Sequence, residues 1–221
     1  MPLSPFVLSL EVAATATLLA ALVGLPIARI LAKRVFFGRE ALDAAFSLPL
    51  VMPPTVLGYF LLVLLGRNGV VGRLYQAATG DMLVFTRKGA VIAAAISALP
   101  LVVKFGRSAF ASVDPDLVLA ARTLGATPSR AFFAIELPLA LRGLSAALGL
   151  AFARALGDFG ATLMVAGNTP GVTRTASMAI YDAAIAGRAE EANALVVLLS
   201  AVSFVALYAT NRFVDGRTRG L

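Results

Sequence analysis

The chain has 221 residues, 59% of them hydrophobic and 14% charged, and a formal net charge of +7. So few charges cannot cover a water-exposed surface of this length, and the apolar residues run in long blocks, which is a membrane composition. Cysteine, histidine and tryptophan are absent, which excludes thiol nucleophiles, disulfides, zinc sites and histidine-based acid/base chemistry.

A helix crosses a hydrocarbon core of about 30 Å with about 20 apolar residues. Five stretches meet or approach this: 8–32, 44–65, 89–105, 139–166 and 192–211. The expected fold is an all-α integral membrane protein with about five transmembrane helices, in one transmembrane domain over 1–221. Met1 to Pro5 carry no basic n-region, so the first stretch reads as a retained span.

In the second stretch, Pro49, Pro53 and Pro54 each remove a backbone donor, so the helix must kink or unwind there. Freed carbonyls at membrane depth need cover from protein or a water-filled cavity. A pore-lining hinge and a packing kink both satisfy that condition. The third stretch is short, with Lys88 and Lys104 reaching towards its two interfaces. The fourth is too long for one straight span and is expected to break near Gly157 and Gly160. It carries Arg154 and Asp158, which are four apart and share a helical face. A structural ion pair and a translocation or gating role are both open for them. Gly157 and Gly160 weaken the helix beside the Thr162 hydroxyl, and a break there could offer donors to a passing oxyanion. The loop 168–193 holds a moderately amphipathic stretch, 176–186, before the last span.

In this five-span arrangement one side collects twelve Lys and Arg residues, from Arg29 to Arg39, Lys104 to Arg142 and Arg212 to Arg219. The other side has six: Arg67, Arg73, Arg87, Lys88, Arg174 and Arg188. The richer side is expected to be cytoplasmic, with the N-terminus outside and the C-terminus inside. That places 114–138 in the cytoplasm.

Within this loop Asp114-Pro115 reads as an N-cap followed by proline at the first helical position. Leu117, Ala120, Ala121 and Leu124 recur at helical spacing, and Gly125 follows as a C-terminal cap. Thr127-Pro128 repeats the start, and the second helix runs to Leu137-Pro138, where the fourth span is expected to begin. From periodicity alone the unit is a surface connector or a docking element; its place between two spans argues against a DNA-binding helix-turn-helix.

The string Ala120-Ala121, three residues, Gly125, nine residues, Ile135, one residue, Leu137-Pro138 resembles the coupling loop of binding-protein-dependent ABC importer permeases. Where that family has a leading Glu, this chain has Leu119. The resemblance extends to molybdate permeases through the segment 48–54, Gly58-Tyr59, 66–69, the run 152–162, and Asn168, Pro170, Gly171 and 173–175. It implies a permease subunit in the bacterial inner membrane, half of a homodimeric pathway, with a cytoplasmic ATPase dimer docked on the loop and a periplasmic oxyanion-binding protein outside. The candidate pore or gate residues are Pro49, Pro53, Pro54, Gly58, Arg154, Gly157, Asp158, Gly160 and Thr162. No phosphate-binding G-x-x-x-x-G-K-[ST] loop occurs, so ATP and Mg are expected on the partner chain, with no cofactor, metal or nucleic acid on this one. Competing readings are a permease for tungstate, sulfate or another oxyanion, an ion-coupled secondary transporter and a membrane-embedded enzyme. The last lacks clustered catalytic groups at membrane depth.

Overall fold

The computed structural model describes residues 3–215; Arg217 and Arg219, counted in the charge bias, lie outside them. The helices are α1 (Leu3–Lys33), α2 (Arg39–Val51), α3 (Pro54–Leu65), α4 (Val70–Thr79), α5 (Arg87–Ala111), α6 (Pro115–Thr123), α7 (Pro128–Ala131), α8 (Leu137–Leu156), α9 (Gly160–Ala166), α10 (Ala176–Ile185) and α11 (Ala189–Asp215). A π-helical turn, Phe132–Glu136, joins α7 to α8, so that 128–156 is one helix. Four helices among the described residues are long and apolar enough to cross a membrane, and α2 with α3 makes a fifth if the bent pair counts as one span.

Four details differ from the sequence reading. The second span is two helices that meet at 111°, because Pro53 and Pro54 are consecutive and neither can donate to the turn before it. The third span is 25 residues long, started by Thr86, whose hydroxyl accepts from the Gly89 amide at 3.2 Å. Leu137-Pro138 does not start a helix but lies inside one. There the Leu137 amide reaches back five residues to the Phe132 carbonyl, and the widened turn accommodates a proline without a break. Helix α4 was not foreseen; its packing partner is α3, and Lys88 Nζ secures it by donating to the Tyr75 hydroxyl at 2.8 Å.

The core is built from small side chains. Ala13, Ala16 and Ala20 of α1 meet Ala90, Ala94 and Ala98 of α5 and Ala151 and Ala155 of α8, all buried. Helices in lipid gain little from burying apolar area against one another, so close backbone approach through alanine and van der Waals contact hold this bundle. Large apolar residues such as Leu22, Val197 and Phe204 face outward, where hydrocarbon solvates them.

The two ends of the bundle differ. At one, the start of α1 lies beside the 167–191 segment: the Ser9 hydroxyl accepts from the Ala176 amide at 2.7 Å, and Arg87 donates to the carbonyls of Gly171 and Val172. At the other, the last turns of α1 meet the loop that carries α6.

Candidate functional site

Two clusters contain the residues singled out from the sequence. The first is the crossing of α3 and α9, where two broken helices meet close to their breaks. Asp158 lies in the gap between α8 and α9 with its side chain 1% exposed. Its Oδ1 accepts from Arg154 Nη1 at 2.9 Å, and its Oδ2 accepts from the Thr162 amide at 3.0 Å and the Thr162 hydroxyl at 2.6 Å. The carboxylate thus caps the first turn of α9, where negative charge suits the helix dipole, and fixes the break. Both Thr162 donors are committed to Asp158 in this arrangement. Arg154, 29% exposed at its side chain, spends one N–H on the pair.

Glycines let the two helices touch. A Cβ on Gly160 would lie 2.8 Å from the Pro54 Cβ, and one on Gly58 would lie 2.7 Å from the Met164 Cβ and 3.1 Å from the Ala161 Cα. Pro54, Gly58, Gly160, Asp158 and Thr162 therefore form one cluster, with Pro53 and the exposed Gly157 at the two breaks. Pro49 lies within α2, whose packing partner is α5.

The second cluster is the loop 114–138. Asp114 Oδ1 accepts from the Asp116 amide at 2.9 Å, with Pro115 at the first helical position of α6. The helix ends in a Schellman motif: the Gly125 amide donates to the Arg122 carbonyl at 3.1 Å and the Ala126 amide to the Ala121 carbonyl at 3.0 Å, with Gly125 at φ +88°. Thr127 caps the next helix by accepting from the Arg130 amide at 3.3 Å. Every hydrogen bond that shapes α6 is local. None of its residues is buried, and Leu117, Leu119 and Leu124 are exposed. Ile135 lies in the π turn, while Leu137 packs on the cluster of Ala28, Phe110, Val113 and Leu144.

Sequence reasoning missed the residues that fasten this loop to α1. Glu136, its side chain 3% exposed, accepts from Arg29 Nη2 at 2.7 Å and from Arg29 Nε at 3.1 and 3.2 Å. The same guanidinium lies 4.4 Å from the centre of the Phe132 ring. Lys33 Nζ donates to the Val113 carbonyl at 3.1 Å. Arg29 entered the charge count on the richer side and lies near the end of α1; the available signal was a pair of opposite charges, Arg29 and Glu136, each embedded in apolar sequence. A second missed network ties Asn168, Arg174 and Asp182 together: Asn168 Nδ2 and Arg174 Nη2 contact the Asp182 carboxylate at 2.9 and 3.1 Å. It joins the 167–175 loop to α10, which packs on α11 and α1.

Residues 24–220 match the model of the family described as binding-protein-dependent transport system inner membrane component. The chain belongs to that family. It is 41% identical over 202 residues to the molybdenum transport system permease protein ModB of Haemophilus influenzae, covering 91% of this chain and 88% of that one. It is 32% identical over 180 residues to a sulfate transport system permease protein of Chlorokybus atmophyticus described as probable, covering 81% of this chain and 63% of that one. Among solved structures, one of the MetNI methionine ABC transporter in inward facing conformations superposes with a TM-score of 0.72 at 19% identity, over 95% of this chain and 92% of that chain. That likeness carries the fold alone. As a member of this family, the chain is a multi-pass membrane component of a transport system.

Proposed function

We propose that this chain is the transmembrane permease subunit of an ATP-driven molybdate importer in the bacterial inner membrane. The observation that carries the reading is α6: a helix capped at both ends by local hydrogen bonds, with none of its residues buried and with Leu117, Leu119 and Leu124 exposed. Such an element fits the groove of a cytoplasmic ATPase, and Leu119, 59% exposed, offers an apolar contact where the family has a carboxylate. The likeness to the molybdenum permease over nine-tenths of the chain supports the substrate class.

In this reading the whole chain is one permease domain and two copies form the pathway, each docking one ATPase across a two-fold axis. ATP and Mg bind the ATPase, and this chain takes no part in the hydrolysis. The loop 114–138 faces the cytoplasm, and the 167–191 end faces a periplasmic oxyanion-binding protein. The crossing of α3 and α9 is a point where two broken helices can change their angle, placing Pro53, Pro54, Gly58, Arg154, Gly157, Asp158, Gly160 and Thr162 beside the pathway, with Pro49 a turn away.

The test is uptake of labelled molybdate into proteoliposomes that hold this chain with its ATPase and binding protein, ATP on the ATPase side, and sulfate or tungstate as competitors. Uptake that requires ATP and is displaced poorly by sulfate is expected. Stronger displacement by sulfate would reassign the substrate. Uptake driven by a proton gradient without ATP would overturn the ABC reading.

A further inference from the structure

The coupling loop is an excursion from the bundle, and something must convert its displacement into movement of the spans. Covalently, the loop is continuous with α5 upstream and with α8 downstream, through 128–156. Helix α1 has no covalent link to it, yet beside the apolar cluster that Ala28 shares with Val113 and Leu137 the last turns of α1 hold it by two polar contacts. Lys33 grips the Val113 carbonyl, one residue before the cap that starts α6. Arg29 forks onto Glu136, at the end of the π turn that closes the loop.

The second grip is the more specific. Glu136 is buried, and the described contacts of its carboxylate are with the one guanidinium, which also stacks on Phe132 from the same π turn. A forked guanidinium–carboxylate contact fixes orientation as well as distance. A π turn is a widened segment of helix whose register can shift locally, and such turns recur at functional positions. Here the ion pair is attached to it. We infer that the Arg29–Glu136 pair is the positioning device that makes α1 follow the coupling loop, so that displacement of α6 by the ATPase moves α1 together with α5 and α8 rather than bending the π turn. This rests on the permease reading above.

The test separates coupling from folding. Glu136 is buried and the Arg29 side chain is 44% exposed; replacing both by apolar side chains of similar volume leaves no unpaired charge, a change that is often neutral for stability even where both partners are buried. The double variant Arg29→Met with Glu136→Met is therefore compared with Glu136→Gln and with wild type, in proteoliposomes that hold the complete transporter, with assembled complex quantified. The readout is molybdate imported per ATP hydrolysed, a ratio that lower amounts of folded protein do not change. The double variant is expected to assemble like wild type and hydrolyse ATP, with the ratio lowered about threefold or more. Arg29→Lys, which keeps the charge and loses the fork, is expected to fall between. A wild-type ratio in the assembled double variant would overturn the inference. Absence of ATP-dependent uptake by wild type would remove the permease reading and the inference with it.

Discussion

The crossing of α3 and α9 and the loop helix α6 both depend on glycine, for opposite reasons. At the crossing, Gly58 and Gly160 are needed because neighbouring atoms leave no room for a Cβ. At the loop, Gly125 has nothing within 4 Å of where its Cβ would be, and glycine is needed only because the backbone turns left-handed at φ +88°. One region is held by packing and a buried carboxylate, the other by local caps and by Val118 packed on the Phe110 cluster. A bulky side chain at Gly125 would therefore act through the turn it distorts, while the same side chain at Gly58 would push two helices apart.

Substitutions should separate the regions by size and by reach. The largest effect is expected for Asp158→Ala, which strands Arg154 and uncaps α9. A loss of about 3 kcal/mol, read as a lowered unfolding midpoint in detergent, follows from breaking a buried pair. Gly58→Leu is expected to cost about 1–3 kcal/mol by overpacking against Met164 and Ala161, by the same measurement. Gly125→Ala should cost about 1–2 kcal/mol of local stability from the left-handed backbone. It should appear as faster hydrogen exchange of the 116–124 amides with the global midpoint unchanged. If instead it lowers the global midpoint as far as Gly58→Leu does, the distinction between the regions is lost. Asp114→Ala removes the cap of α6 and is expected to cost about 1 kcal/mol, again confined to that helix. Leu124→Ser, at a residue 90% exposed, should shift stability by less than about 0.5 kcal/mol. On the proposed function, binding of the ATPase, measured by co-purification, should nevertheless weaken.

Legibility from sequence followed the range of the interactions. The α6 unit was read nearly residue by residue, because Asp114, Pro115, Gly125, Thr127 and Pro128 act on backbone groups within a few positions of themselves. The break at Gly157 to Gly160 and the Arg154–Asp158 pair were legible for the same reason, being four residues apart on one helix. Helix α4 was not: it is short, it contains Gly72 and Arg73, and Tyr75 meets Lys88 across a loop. Nor was the continuity of 128–156, since Pro138 is a stop signal in most helices and only the π turn shows how this one passes it.

By itself the sequence determined that the chain is helical and membrane-embedded, where its helices break, and where the loop helix starts and stops. Each follows from hydropathy summed over a helix length or from backbone chemistry at a single residue. The tertiary structure alone decided that Pro54 meets Gly160, that α2 and α3 part at 111°, and that Arg29 reaches Glu136 across 107 residues of chain. Those partners are chosen by how alanine-lined helices approach one another, and no local pattern encodes which distant charge will lie within reach.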